Sequence, residues 1–216
     1  MSLITEPYVD QNSRWPGSGR HILAQFDAES VVVYQAYRPT IGHFAARHGV
    51  FGGEFRMGRM TWIKPNFLWM TYRSGWGTKP DHEVTFAIRL RRDAFDEMLR
   101  LAVHSSFSPG VYGSEEAWKQ AAARSDVRLQ FDPDHGPSGN PVERRAIQLG
   151  LRGDVLARYA REWLLGIEDI SEFVTEQRAN AKIPYDRLVT PKEASYPIVE
   201  PEVAARLGVS GLQGRV

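Results

Sequence analysis

Five cations and three tryptophans crowd into one short interval of this 216-residue chain. Arg56, Arg59, Lys64, Arg73 and Lys79 fall between Phe55 and Pro80, a run of 26 residues without an acidic side chain. Trp62, Trp69 and Trp76 recur within it at seven-residue intervals. Cations without local counter-charges, set among flat aromatic faces, suit a ligand that carries both phosphate and a base. Arg59, Lys64 and Arg73 are the candidate phosphate contacts, and Trp62, Trp69 and Trp76 the candidate stacking faces. Arg20 and His21, at the start of the first predicted strand, are candidate second contacts. Gln148, inside the segment AIQLGL, is placed for a ribose hydroxyl. Glu143 and Glu83, each just ahead of a predicted strand, are the alternatives where a carboxylate is needed, and Tyr72 completes the candidate catalytic set.

The elements that must position these groups follow from local pattern. Met60 to Ile63 is β-prone, and Pro65 stands where the first turn of a helix tolerates a missing N–H. Asn66 to Ser74 then reads as a helix ended by Gly75. On it Phe67, Met70, Thr71 and Ser74 share one face, and Trp69, Arg73 and Trp76 share another. Arg73 can lie on an indole face, and the first free N–H groups of the helix can receive an anion beside Lys64. The competing reading is a buried amphipathic helix whose cations pair with acids from elsewhere in the chain.

The interval RMTWIKPNFLWMTYRSGW (59–76) is also where the chain resembles a known family, the bacterial domain-of-unknown-function family 4291. VYQAY (33–37), GSEEAW (113–118), LQFDPD (129–134) and AIQLGL (146–151) carry the rest of the resemblance, which spans roughly residues 20–170. Asn66 stands where the family pattern has serine, and Phe131 where it has tryptophan. The resemblance brings no established activity.

Composition narrows the chemistry. The chain has no cysteine, which removes thiol catalysis, disulfides and thiolate metal sites together. A net charge of +1 makes any basic patch local, which counts against general coating of nucleic acid. Hydrophobic content of 42% and charged content of 25% are those of a soluble globule. No apolar run approaches the roughly 20 residues needed to span a bilayer, and Glu6 and Asp10 interrupt any leader-like N-terminus. A cytoplasmic protein is the expectation, and its oligomeric state is not legible. There is no P-loop, no Rossmann glycine fingerprint, no G-x-S-x-G elbow and no H-E-x-x-H. Asp132, Asp134 and His135 are three hard ligands in DPDHGPSGNP, read as a turn-rich loop; without a partner motif no metal is expected there.

The rest of the chain reads as one α/β domain with a mixed sheet and helices packed on it. Residues 1–19 are expected to form a flexible arm from which Trp15 can fold back, 20–180 the globular domain, and 181–216 a proline-rich segment wrapping it. Strands are predicted near 21–26, 60–63, 84–90, 127–131 and 145–151. Val31 to Tyr37 is read as helix because Asp27-Ala28-Glu29 opens it well; Tyr34, Gln35 and Tyr37 on it are read as core. Further helices are predicted over 41–48, over 93–106 with His104 capping its C-terminus, from Ser114 onward, and from Asp154 to Ile167.

The chemistry that survives is positioning and charge stabilisation of a phosphate-bearing molecule. Transfer of ADP-ribose from NAD fits: it needs no metal, and the fold and ligand class are similar to those of ADP-ribosyltransferases, without a motif-level match. A module for single-stranded nucleic acid, or a protein-interaction domain anchored by its tryptophans, uses the same residues without catalysis.

Overall fold

In the computed structural model, which describes residues 3–210, the chain opens with β1 (Thr5–Pro7) and a helical turn α1 (Tyr8–Asn12). Short strands β2 (Gly19–Arg20) and β3 (Leu23–Ala24) lead into β4 (Ser30–Tyr37) and α2 (Pro39–His48). β5 (Thr61–Ile63) and α3 (Phe67–Ser74) hold the Trp-rich interval. β6 (Val84–Arg91), α4 (Arg92–Leu101), β7 (Val103–His104), α5 (Pro109–Tyr112) and α6 (Glu115–Arg124) follow. β8 (Val127–His135) and β9 (Pro141–Leu151) make a long hairpin, succeeded by α7 (Gly153–Arg161), β10 (Leu164–Asp169) and α8 (Ser171–Asn180). β11 (Val189–Pro191), β12 (Ala194–Ser195) and α9 (Pro201–Leu207) complete the described chain.

Two sheets carry the α/β domain. β10, β6 and β4 form an antiparallel sheet. β2, β9, β8 and β7 form the other, with β5 added to β9. A backbone bridge between Tyr34 and Lys64 ties β4 to the end of β5, so the two sheets meet at Lys64. The main core fills the space between them with Val33, Ile88, Leu129, Leu149, Leu156 and Trp163. A second core on the far side of β4 and β6 holds Val32, Tyr34, Phe67, Leu68 and Met70.

That second core explains why Val31 to Tyr37 is a strand and not the expected helix. Val31 and Val33 point into one core, Val32 and Tyr34 into the other, so the strand is covered on both faces. A doubly covered strand reads as a continuous apolar run, without the alternation that distinguishes strand from helix. Asp27 caps a turn instead: its carboxylate accepts from the Glu29 and Ser30 N–H groups and the Ser30 hydroxyl.

Other expectations change for tertiary reasons. The helix from residue 154 stops at Arg161, because Leu164–Asp169 is taken up as a strand on the open edge of β6. His104 caps nothing; it lies in β7 against β8, its N–H and Nδ1 both at the Tyr112 hydroxyl. The N-terminal segment is not a loose arm over its described residues. Tyr8, Gln11 and Trp15 are buried, and Gln11 spans to Thr190 and Glu193. From residue 181 onward β11, β12 and α9 wrap the domain, and the remainder of that segment, 211–216, lies outside the described residues. No helix among the described residues is long and apolar enough to cross a membrane.

Candidate functional site

α3 forms where its sequence predicts but starts at Phe67, with Pro65 outside the helix and Asn66 as its cap. Asn66 accepts the Trp69 N–H at 2.7 Å, and Gly75 ends the helix in the left-handed region with φ of 59°. Two of the N–H groups expected to be free for an anion, those of Phe67 and Trp69, are taken. The Phe67 N–H donates to the buried Glu193 carboxylate at 2.7 Å, and Asn66 Nδ2 donates to its other oxygen at 3.0 Å. Glu193 comes from 126 residues away, so the acid-free interval receives a carboxyl group from outside. Burial first, and the field of Asp134 further down, push the Glu193 carboxyl well above its ordinary range, against the hydrogen bonds that favour its charge.

The helix presents a narrower face than its periodicity suggests. Trp69 is buried with the core side chains, and only Tyr72 and Arg73 are exposed. Tyr72 stacks on His135 at 3.5 Å between ring centroids, and Trp69 lies nearly parallel to both. The Arg73 guanidinium sits 6.0 Å from the Trp69 ring, as the i, i+4 spacing predicts. Trp76 leaves this group. Past Gly75 its backbone turns left-handed, and its indole N–H donates to the Pro137 carbonyl on the other flank of α3.

Lys64 is the group that the fold isolates. It follows β5, its backbone is locked to Tyr34, and the residue is 7% exposed. Its ammonium has no hydrogen-bond or ion-pair partner among the described residues. Burial, then the neighbouring charge of Arg73, bring its pKa down to about 8, with Asp132 pulling the other way. An ammonium and a guanidinium thus lie within each other's field without a bonded counter-ion.

Strand alternation supplies the remaining groups. Leu129 and Phe131 of β8, with Ile147 and Leu149 of β9, turn toward the main core. Gln130, Asp132 and Gln148 therefore emerge together on the other face. Gln130 and Gln148 are cross-strand partners, and both amides donate to Asp132, at 2.8 and 2.6 Å. Trp62 pairs with Gly150 on this face, and only a glycine lets the indole lie so close: a Cβ there would stand 3.0 Å from Trp62 Cζ2. The result is a surface with two cations that have no bonded counter-ion among the described residues, a carboxylate held between two amides, and a half-buried indole.

Several expected members are elsewhere. Arg20 lies 5.5 Å from the Phe131 ring, on the opposite face of β9 from Gln148. The His21 ring is bonded to the Ser18 carbonyl at 2.9 Å. Glu143 is exposed, and odd-numbered like Arg145 it alternates away from Gln148. Glu83 caps the Asp81 N–H. Arg59 is exposed on the loop before β5, where its charge acts on Tyr37. Tyr37, Gln35, Thr61 and Tyr159 are bonded to one another in the core.

Asp132 is the important group that sequence reading did not assign. The segment read as a loop from residue 132 is strand as far as His135, with the turn confined to 136–140. Continuing the alternation of Leu129 and Phe131 two residues further would have placed Asp132 with Gln130 and, across the hairpin, Gln148. Asp134 is spent on a buried ion pair with Arg144 at 2.7 Å, and among the described residues no group of three acidic or histidine side chains is arranged to hold a metal.

A family model described as "Domain of unknown function (DUF4291)" matches residues 21–196, most of the chain, and no curated protein matches it.

Proposed function

We propose that this chain, which belongs to the DUF4291 family, binds a nucleotide-like ligand on the face formed by β5, β8 and β9, with its phosphates at Lys64 and Arg73. The observation that carries the reading is the nearly buried Lys64 side chain, whose ammonium has no bonded counter-ion among the described residues while a second cation lies close by. Burying an unpaired charge is costly, so an anion supplied from outside accounts for it better than packing does. Two buried ring nitrogens add to it: Trp69 Nε1, whose ring lies by Arg73, and His135 Nδ1 have no partner among the described residues.

Asp132 is suited to a ribose. Two amide donors fix its orientation, leaving lone pairs for sugar hydroxyls. With NAD as the ligand, the reaction that fits is transfer of ADP-ribose. The bond from the ribose C1′ to the nicotinamide nitrogen breaks, nicotinamide leaves with the bonding pair, and an acceptor nucleophile takes C1′. Asp132 stabilises the positive charge that develops on the sugar and receives the acceptor's proton. Trp62 offers a flat face to the base, and Tyr72 borders the site beside Arg73. A cytoplasmic location agrees with such a substrate.

Incubation with NAD and a panel of protein, RNA and DNA acceptors should release nicotinamide, and Lys64→Gln and Asp132→Asn should each stop it. Binding of single-stranded oligonucleotides with steep salt dependence and no turnover would replace the transferase with a nucleic-acid module. Absence of calorimetric binding to NAD, other nucleotides and oligonucleotides would remove the phosphate site altogether.

A further inference from the structure

A cleft lies on the other flank of α3. Thr71 and Gly75 share one stripe of that helix and Trp69 and Arg73 another, so Tyr72 stands as a ridge between the two regions. The cleft has a volume of about 330 Å³ and is walled by Tyr72, Trp76, the turn Pro137 to Gly139, and Arg178 from the last turn of α8. That volume is at the small end of ligand sites and admits a single ring with one substituent.

Both aromatic walls are held in place. Tyr72 lies flat on His135, and Trp76 is fixed by its bond to Pro137 at 3.2 Å and by its edge contact with Phe67. Three non-glycine residues among those described have positive φ, and two of them border this turn: Trp76 at 55° and Tyr185 at 66°. Tyr185 also anchors the turn through a 2.6 Å contact between its hydroxyl and the Ser138 hydroxyl. Left-handed backbone at bulky residues is retained where the surroundings over-determine it, and such residues concentrate at ligand sites.

The charge of the cleft is one-sided. The Arg178 guanidinium has no ion-pair or hydrogen-bond partner among the described residues, and no carboxylate lines the walls. A planar fork of donors beside aromatic faces selects a flat ring that carries a carboxylate or a phosphate. We propose that this cleft binds a small planar ring bearing one anionic group, a carboxylate or a phosphate, stacked between Tyr72 and Trp76 and paired with Arg178. It is a separate site from the Lys64 face and does not depend on it.

The test uses the full chain and four probes: benzoate, phenyl phosphate, benzamide and cyclohexanecarboxylate. Calorimetry, with the Trp76 indole resonance as a local reporter assigned by Trp76→Phe, reads occupancy. Benzoate or phenyl phosphate should bind and move that resonance, and the stronger of the two identifies the anionic group. Benzamide, lacking the charge, and cyclohexanecarboxylate, lacking the planar ring, should each bind about tenfold more weakly. Arg178→Gln should weaken the anionic probes about tenfold and leave benzamide unchanged, since its exposed side chain has no partner to lose. Lys64→Met should leave all four affinities unchanged, which separates this site from the nucleotide site. Failure of both anionic probes to bind, equal binding by Arg178→Gln, or loss of binding in Lys64→Met would each overturn the proposal.

Discussion

Replacing Lys64 by methionine should make the protein more stable and inactive at once. The side chain keeps its length and loses its charge in a nearly buried position whose backbone pairing with Tyr34 is untouched. Moving the amine from its ordinary 10.5 to about 8 corresponds to about 3 kcal/mol against the charged form. Below pH 8 both the native and the unfolded chain carry the proton, so the native state bears this penalty in full. Between about 8 and 10.5 the native state releases the proton while the unfolded chain keeps it, and stability rises through that window. Lys64→Met should therefore exceed the wild type by up to about 3 kcal/mol at pH 7, with the gap closing toward pH 10.5. Urea denaturation at several pH values measures the difference, and nucleotide calorimetry on the same samples should show binding lost. A variant less stable than wild type at pH 7, or with the same pH slope, would mean that Lys64 has a stabilising partner, and the argument for an external anion would fail. Stability gained at the expense of ligand binding is the signature of a functional charge.

Asp132→Asn keeps the shape of the carboxylate between Gln130 and Gln148, so nicotinamide release should disappear while the melting temperature stays within a few degrees. It should also lower the Lys64 pKa further, since Asp132 is the charge that raises it, and a lysine NMR titration reads that shift. Arg144→Met leaves Asp134 buried and unpaired, and urea denaturation should show a loss of about 3–5 kcal/mol. A loss under 1 kcal/mol would mean the pair is dispensable. Burial raises the Glu193 carboxyl above 4.5, so its contribution to stability is complete below that pH and is lost as pH rises through the folded value. Glu193→Gln should flatten that slope in pH-dependent denaturation, and an unchanged slope would place the titration elsewhere.

Local signals settled much of this protein. The glycine stop at 75, the β-prone residues of β5 and β6 and the cap at Ser114 all act within a few residues, so the sequence alone determines them. The pairing of Arg73 with Trp69 is equally local, being one turn of a helix. What required the tertiary structure is every feature that depends on a distant partner. β4 is a strand because two cores cover it, and β10 is a strand because β6 offers it an open edge. The start of α3 cannot hold an anion because Glu193 arrives there from the far end of the chain. Trp76, Arg20, His21 and Glu143 are grouped with Lys64 on sequence alone, yet a glycine turn diverts Trp76, the pleat of β9 turns Glu143 away, Arg20 lies by Phe131 on the other face, and the His21 ring is bonded to the Ser18 carbonyl. Side-chain direction has a period of two along a strand, so neighbours in sequence face opposite ways, while Lys64 just past β5, Asp132 of β8 and Gln148 of β9 come together from separate parts of the chain. Residue types announced that charge and aromatic faces were present; which of them share a surface was decided by strand pairing.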